Sequence, residues 1–497
     1  MTTITPTGRF RLFAVAILVV YTAGLTREIS EPWIGRHDWN GAFFSQLARN
    51  FLRYPLSWHH GMPVSAMGTA TPAPEDSSFY PRHPPGLVWL LAAAFRCFGE
   101  SEAVARGVPI LSSLGSVALL MSIISRARNR RTALITGAIY SLLPMTVYFG
   151  RMVNHEAVCL FFMLSALVSW QQRSVRCKGA APDVAFFACS MVSVFCASWI
   201  DWPGMLFGVL FLAWIAQKTL RRQVTRTHFM VVMLCVVASG ASVFSYLAYA
   251  GFEGHWIDML YMFQSRRESV PDTSQWEPFH HAIQGLTWPI LLLCVASAVS
   301  GTWRTLFGVA GRNRTAESGS RQHSDPGAPT GPVDGIAILT FTGAAWVLLF
   351  WRQFQIHEYW MYYLIPGCAA SAGTLLARLV PALVDRNRTT GFLFALTVAI
   401  ISITCCLQQT SAVFARVNWS MEDVEMCRDI ASKTRPDERL ILTWNPWHTE
   451  RHGHFEFRNI LTPQFAYYLD RSFEIVTDPV EIRKRQERGA FVVLRGE

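Results

Sequence analysis

Charge is the first thing this sequence is short of. Only 16% of its 497 residues are Asp, Glu, Lys or Arg. Soluble domains carry about a quarter, so the shortfall argues against a water-soluble globular chain. Paired cysteine motifs are missing as well. Eleven Cys occur, none with CxxC spacing, and most fall in apolar stretches (Cys159, Cys189, Cys196, Cys235, Cys294, Cys368, Cys405, Cys406). They read as small core residues, which excludes a disulfide framework or a cysteine metal site. No small-residue cleavage site follows the first apolar run, Phe10 to Thr26, although Arg9 and Arg11 give it a signal-like start. Arg27-Glu28 comes next, so the run is expected to stay as a membrane helix. No clear internal repeat is visible, and repeats are what a transporter or lipid flippase, the rival class, would show.

What the chain does have is apolar length. It is 51% hydrophobic with a mean hydropathy of +0.24, and runs of ~17–22 apolar residues recur, each long enough to cross a bilayer. After the first helix the expected spans are Val104–Ser125, Thr132–Phe149, Glu156–Trp170, Asp183–Ile200, Gly204–Gln217, Phe229–Ala250, Gly285–Trp303, Gly335–Trp351, Tyr359–Val380 and Gly391–Gln408. That makes an all-α polytopic membrane protein of about eleven helices. The short apolar stretch Pro84–Phe98 is taken as juxtamembrane, because every basic loop then falls on one side: Arg126–Arg131, Gln171–Lys178, Lys218–Arg226, Arg304–Pro332 and Asp385–Arg388. Lys and Arg gathered in cytoplasmic loops explain the net charge of +10, with no need for nucleic acid. Arg312–Pro332 reads as a disordered linker.

Two regions lie on the other side. The first is the long loop, residues 27–86. It contains His37-Asp38-Trp39-Asn40-Gly41, an amphipathic stretch Trp39–Tyr54 expected to lie on the membrane surface, a Gly/Pro/Ser/Thr-rich segment, and the basic turn Tyr80-Pro81-Arg82-His83-Pro84-Pro85. The second is residues 410–497, following a membrane part of residues 1–409. It is expected to be a small extracytoplasmic α/β cap with a helix at Met421–Lys433 and strands at Leu440–Thr443, Phe473–Val476 and Ala490–Leu494.

Polar residues gather at span ends on that same side: His37, Asp38, Arg82, His83, Arg106, Arg151, His155, Glu156, Asp201, Arg266, Arg267, His357, Glu358, Tyr359 and Tyr362. Ionisable groups at membrane depth are costly and tend to be functional. Plainer readings stand beside this one. Trp39, Trp58, Trp202 and Trp256 fit an interfacial belt, Arg266-Arg267 a lipid-headgroup contact, Glu156 the favourable N-terminus of a helix, and Arg106 and Arg151 snorkelling cations. In the C-terminal part, Trp444, Trp447, His448, His452 and His454 fit solvated loop residues, an acceptor contact or a metal.

The order of an Asp in an early outer loop, an amphipathic helix and an H-P-P turn, followed by FGESEAVARGVP, GRMVNHEAVCLFF and HEYWMYYLIPG, resembles the GT-C membrane glycosyltransferases. Within these it resembles the group of protein O-mannosyltransferases and lipid A aminoarabinose transferases (glycosyltransferase family 39 type). The resemblance spans roughly residues 10–380 and implies a polyprenyl-phosphate sugar donor used on the non-cytoplasmic face. By position it makes Asp38 the catalytic residue and puts Tyr80, Arg82 and His83 at the donor phosphate. Arg106 matches an Arg entering the early spans, Glu156 an acidic residue starting a later one, and His357 and Tyr359 a His/Tyr element of the cavity. Family members often carry two adjacent acids in the first loop, where this chain has Asp38-Trp39. The lipid A transferases tend to have Lys where this chain has His83. The Trp-Trp-Asp element of oligosaccharyltransferases is absent.

The chemistry agrees with the resemblance. One carboxylate, Asp38, suffices to take the proton of an attacking hydroxyl. The phosphate leaving group needs cations, and Arg82, Arg106, Arg151 and Arg266 or Arg267 are the candidates. His37, His155, Glu156, His357, Glu358, Tyr359 and Tyr362 complete the cavity set. A divalent cation (Mg or Mn) on Asp38 or Glu156 is compatible, though no ligand spacing demands one. Membrane lipids, the lipid-linked donor and a glycan, lipid or protein acceptor are the expected partners, and a bacterial inner membrane the expected location.

Overall fold

The computed structural model describes residues 5–69, 71, 79–176, 180–250, 264, 276–300, 334–354, 357–443, 463–488 and 492–493. The helices are α1 (Pro6–Thr26), α2 (Asp38–Arg53), α3 (Leu56–His59), α4 (Gly86–Phe98), α5 (Glu102–Ala127), α6 (Arg130–Leu142), α7 (Pro144–Phe149), α8 (His155–Arg176), α9 (Ala180–Ile200), α10 (Trp202–Leu220) and α11 (Arg226–Ala250). They are followed by α12 (Glu277–Leu286), α13 (Trp288–Val299), α14 (Asp334–Leu349), α15 (Trp351–Phe354), a 3-10 turn at Glu358–Leu364, α16 (Ile365–Arg386) and α17 (Arg388–Phe414). Among the described residues six helices are long and apolar enough to cross a membrane, and shorter apolar helices pack beside them. At 26 residues α5 is about 39 Å long, more than a hydrocarbon core needs. Ser101 caps it by accepting from the Val104 N–H, and Asn129 caps α6 through Thr132; each supplies an acceptor to a helix end that has none of its own.

Two expected spans are broken. Thr132–Phe149 is split at Leu143-Pro144 into α6 and α7, because proline cannot donate to the preceding turn. Gly285–Trp303 is not one straight helix: α12 and α13 meet at a bend of 99°. Thr287 at the break takes a φ of 63°, a left-handed conformation that costs a β-branched residue and marks a bend held by its surroundings. The linker Arg312–Pro332 lies outside the described residues.

The amphipathic stretch of the first loop does form a helix, α2, but it is covered on both faces. Phe43, Phe44 and Leu47 are buried in the main core, and α4 packs alongside. Gln46 and Asn50, on the polar face, are buried too and donate to the carbonyls of Val64 and Ala66. The expectation of a helix lying on the bilayer surface is therefore corrected: buried amides need partners, and the returning loop provides them.

The C-terminal residues form α18 (Met421–Lys433), β1 (Leu440–Leu442), α19 (Pro463–Leu469), β2 (Phe473–Ile475), α20 (Pro479–Glu487) and β3 (Val492–Val493). The sheet is parallel, in the order β2-β1-β3, with Leu440 opposite Phe473 and Ile441 opposite Val492. Helices join the strands, as parallel pairing requires. This layer sits on α2: Asp470 takes hydrogen bonds from Arg49 at 3.2 Å and Arg53 at 2.5 Å. The Trp/His run at 444–454 lies outside the described residues.

Candidate active site at one end of the bundle

Asp38 is the first residue of α2. His37 before it has a φ of 58°, a left-handed conformation that turns the chain sharply into the helix. Asp38 Oδ2 accepts from the Gly35 N–H at 2.9 Å and from Arg106 Nη2 at 3.2 Å. Burial raises the carboxyl above its ordinary pKa, and the Arg106 charge and the Gly35 hydrogen bond only partly offset this.

The carboxylate lines a cavity of about 290 Å³ together with Arg106, Arg151, Tyr148, Glu28 and Glu31. Arg106 is 1% exposed, which rules out a snorkelling cation. Its other nitrogen donates to the carbonyls of Ile29 and Glu31 at 2.9 and 2.5 Å. Arg151 donates in the same manner to the Arg27 and Glu28 carbonyls. The two guanidinium groups thus staple the first loop to the helix ends. Burial, with the nearby Arg106 charge, lowers Arg151 to about 10, so it is still cationic at neutral pH. Tyr148 donates to the Arg36 carbonyl at 2.6 Å.

A second cluster forms around the basic turn. His83 Nδ1 lies 3.0 Å from Asp201 Oδ1, and its ring stacks on His155 with centroids 4.4 Å apart. Tyr80 stacks on His83 at 6.1 Å and meets Phe43 edge-on at 5.0 Å. The Arg82 carbonyl accepts from the Trp202 indole at 2.9 Å, so this Trp anchors the turn. Glu156, in the first turn of α8, is buried beside Asp201, and its Oε2 has no hydrogen-bond partner among the described residues. His155 Nδ1 is 3.0 Å from Asn154 Oδ1.

In a third group Glu358 pairs with Arg36 and with His37 Nε2, the latter at 3.1 Å. Tyr359 meets His37 edge-on at 5.4 Å and is 2.6 Å from His357 Nδ1. His37 and Asp38 are chain neighbours, but Arg36 and Glu358 line a separate small pocket and not the Asp38 cavity.

Tyr362 departs from expectation. Its hydroxyl is 2.9 Å from Ser113 and 3.3 Å from Tyr140 inside the helix core, and it does not line the cavity. The 3-10 turn sends the next residue, Tyr363, to Asp201 instead, at 2.9 Å. Arg266 and Arg267 lie outside the described residues.

Sequence reasoning notes Asp201 in its short turn but does not bring it to the site. The signal is Asp-Trp-Pro, a helix cap followed by a first-turn proline, which accounts for the Asp without predicting its partners. Arg36 and Trp33 are missed by the sequence, since nothing local distinguishes them.

Residues 82–246 match the family model described as dolichyl-phosphate-mannose-protein mannosyltransferase. The fold is similar to that of ArnT from Cupriavidus metallidurans, solved bound to undecaprenyl phosphate. The TM-score is 0.57 at 16% identity, over 99% of this chain and 90% of that one. It is also similar to the oligosaccharyltransferase of Archaeoglobus fulgidus, with a TM-score of 0.60 at 12% identity, over 94% of this chain and 65% of that one. No curated protein matches in sequence. The chain shares the fold of these solved structures.

Proposed function

We propose that this protein transfers a sugar, a hexose or pentose, from a polyprenyl-phosphate donor to a hydroxyl acceptor, with Asp38 as general base. One observation carries the reading: a half-buried carboxylate, tied by one oxygen to Gly35 and Arg106, lines a cavity flanked by two guanidinium groups. In the reaction the acceptor oxygen bonds to the anomeric carbon as the bond to the phosphate oxygen breaks. The acceptor proton passes to Asp38, and polyprenyl phosphate departs as an anion that needs no proton. Arg106 and Arg151 lower the cost of that charge, with Tyr80, Arg82 and His83 on the donor side. The structural relative solved with undecaprenyl phosphate supports a lipid-linked donor.

A divalent cation (Mg or Mn), were one bound, would take Asp38 or Glu156 as ligand. The nearest charged partners of Asp38 are guanidinium groups, and no cluster of three His, Cys, Asp or Glu among the described residues could hold a metal. The site is read as facing outward from a bacterial inner membrane, because the basic loops then fall on the cytoplasmic side. The acceptor is a glycan, a lipid or a protein.

Mass spectrometry of lipids and envelope glycans tests the proposal in cells with the chain, without it, and with Asp38→Asn. A glycan missing one sugar, with polyprenyl-phosphate sugar accumulating in both altered strains, supports it. Unchanged sugars and lipid carriers in an expressing strain overturn it in favour of transport.

A further inference from the structure

This inference rests on the reading of Asp38 as the base, and concerns what holds Arg106 against it. Glu102 and Arg106 stand one turn apart on α5, and the C-terminal layer closes a ring between them. The Tyr468 hydroxyl donates to Glu102 Oε1 at 2.9 Å and accepts from the Trp33 backbone N–H at 2.8 Å. The Trp33 ring in turn lies against the Arg106 guanidinium, whose Cζ is 4.1 Å from the ring centroid. Arg106 then reaches Asp38.

Tyr468 is itself fixed. Trp419 stacks on its ring at 6.0 Å and 12°, and Arg428 lies over it at 5.0 Å. Close by, Asn418 N–H donates to the Ile34 carbonyl at 2.7 Å, and Gly35 bridges Val417. Arg106 lines the cavity, whereas neither Trp33 nor Tyr468 does. A guanidinium is planar, and its hydrogen bonds depend on the tilt of that plane; the indole beneath it sets the tilt.

We infer that Tyr468 is a positioning residue: through Trp33 it holds the Arg106 guanidinium in register with the Asp38 carboxylate. The C-terminal layer thereby completes the site without touching substrate.

The test uses membranes from cells lacking the chain, which on the proposed reading hold unused donor and acceptor. Purified full-length protein is added, and transfer is scored by mass spectrometry across pH. Asp38 is faced by Arg106 of α5, by Arg151 and Tyr148 from the end of α7 and the turn after it, and by Glu28 and Glu31 of its own loop. Freeing Arg106 removes a cation from the carboxylate, which then takes up a proton at higher pH. Tyr468→Phe is expected to lower turnover roughly tenfold and to move the acid limb of the pH profile upward. Glu102→Ala breaks the ring from its other end and is expected to do the same. Glu102→Gln, which keeps an acceptor oxygen for Tyr468, restores the wild-type profile. An unmoved acid limb in both Tyr468→Phe and Glu102→Ala, with wild-type transfer intact, overturns the positioning role and leaves Asp38 standing. Absence of transfer by the wild-type protein overturns the base assignment and the positioning role with it.

Discussion

His83 and Asp201, 118 positions apart in sequence, meet at 3.0 Å and join the first loop to the entrance of α10. Asp201 also accepts from the Trp202 N–H at 2.9 Å and from Tyr363 at 2.9 Å. Burial alone would raise its carboxyl. The hydrogen bond and charge of His83, with His155 and Tyr363, outweigh burial and hold it below the ordinary value. A carboxyl depressed by folding stabilises above its unfolded pKa of about 3.9 and stops doing so as pH falls through its lower folded value. Asp201→Asn is therefore expected to cost about 1–3 kcal/mol at neutral pH, a gap that closes in acid. Thermal unfolding of the detergent-solubilised protein measures both; equal midpoints at pH 7 would refute the assignment.

Asp38 has the opposite sign. Its carboxyl is raised by burial, so its contribution to stability increases as pH falls while its capacity as a base is lost. Transfer is expected to decline toward acid with a midpoint above the ordinary carboxyl value of about 3.9. On the proposed reading, Asp38→Asn is expected to lower transfer by about 10²–10⁴-fold while binding of a polyprenyl phosphate, followed by quenching of intrinsic fluorescence, stays near wild type. Unchanged turnover in the variant excludes Asp38 as base.

Gly41→Ala tests the packing under the site. A Cβ at position 41 would fall within the Trp33 ring, so the indole must move off Arg106. The expected cost is about 1–3 kcal/mol of stability, with a larger fractional loss of transfer than of folded protein. Comparing activity per folded molecule separates the two, and proportional losses would mean that Trp33 only fills space.

Chelation addresses the cation. Treating the membranes with EDTA and then removing it is expected to leave transfer at its starting rate. A loss restored by Mg²⁺ or Mn²⁺ would contradict a site neutralised by arginine alone.

Much of this arrangement is legible in the sequence because it is local. The apolar runs mark most of the long helices, although Thr132–Phe149 and Gly285–Trp303 are each divided, and Met421–Lys433 falls where its pattern places it. Asp38, Arg106, Arg151 and His83 stand out as charges at span ends, and the structure brings Asp38 to Arg106 and Arg151. What is not legible depends on distant partners. Tyr362 and Tyr363 are adjacent and chemically alike, and only the phase of a 3-10 turn sends one into the core and the other to Asp201. Gln46 and Asn50 look like a solvated face until the returning loop covers them. Trp33 goes unremarked in the sequence because its partners lie on α5 and, 435 positions away, at Tyr468.

The seam where Val417 and Asn418 meet Gly35 and Ile34 has a consequence for biogenesis. A chain emerging from the ribosome presents Asp38 early, but Val417 follows only after α17 has been made, and Tyr468 later still. The wall of the cavity and the brace behind Arg106 therefore arrive last. On the proposed reading, a nascent chain would hold its base for most of its synthesis without the means to use it, and activity would begin only when the final segment has docked against the first loop.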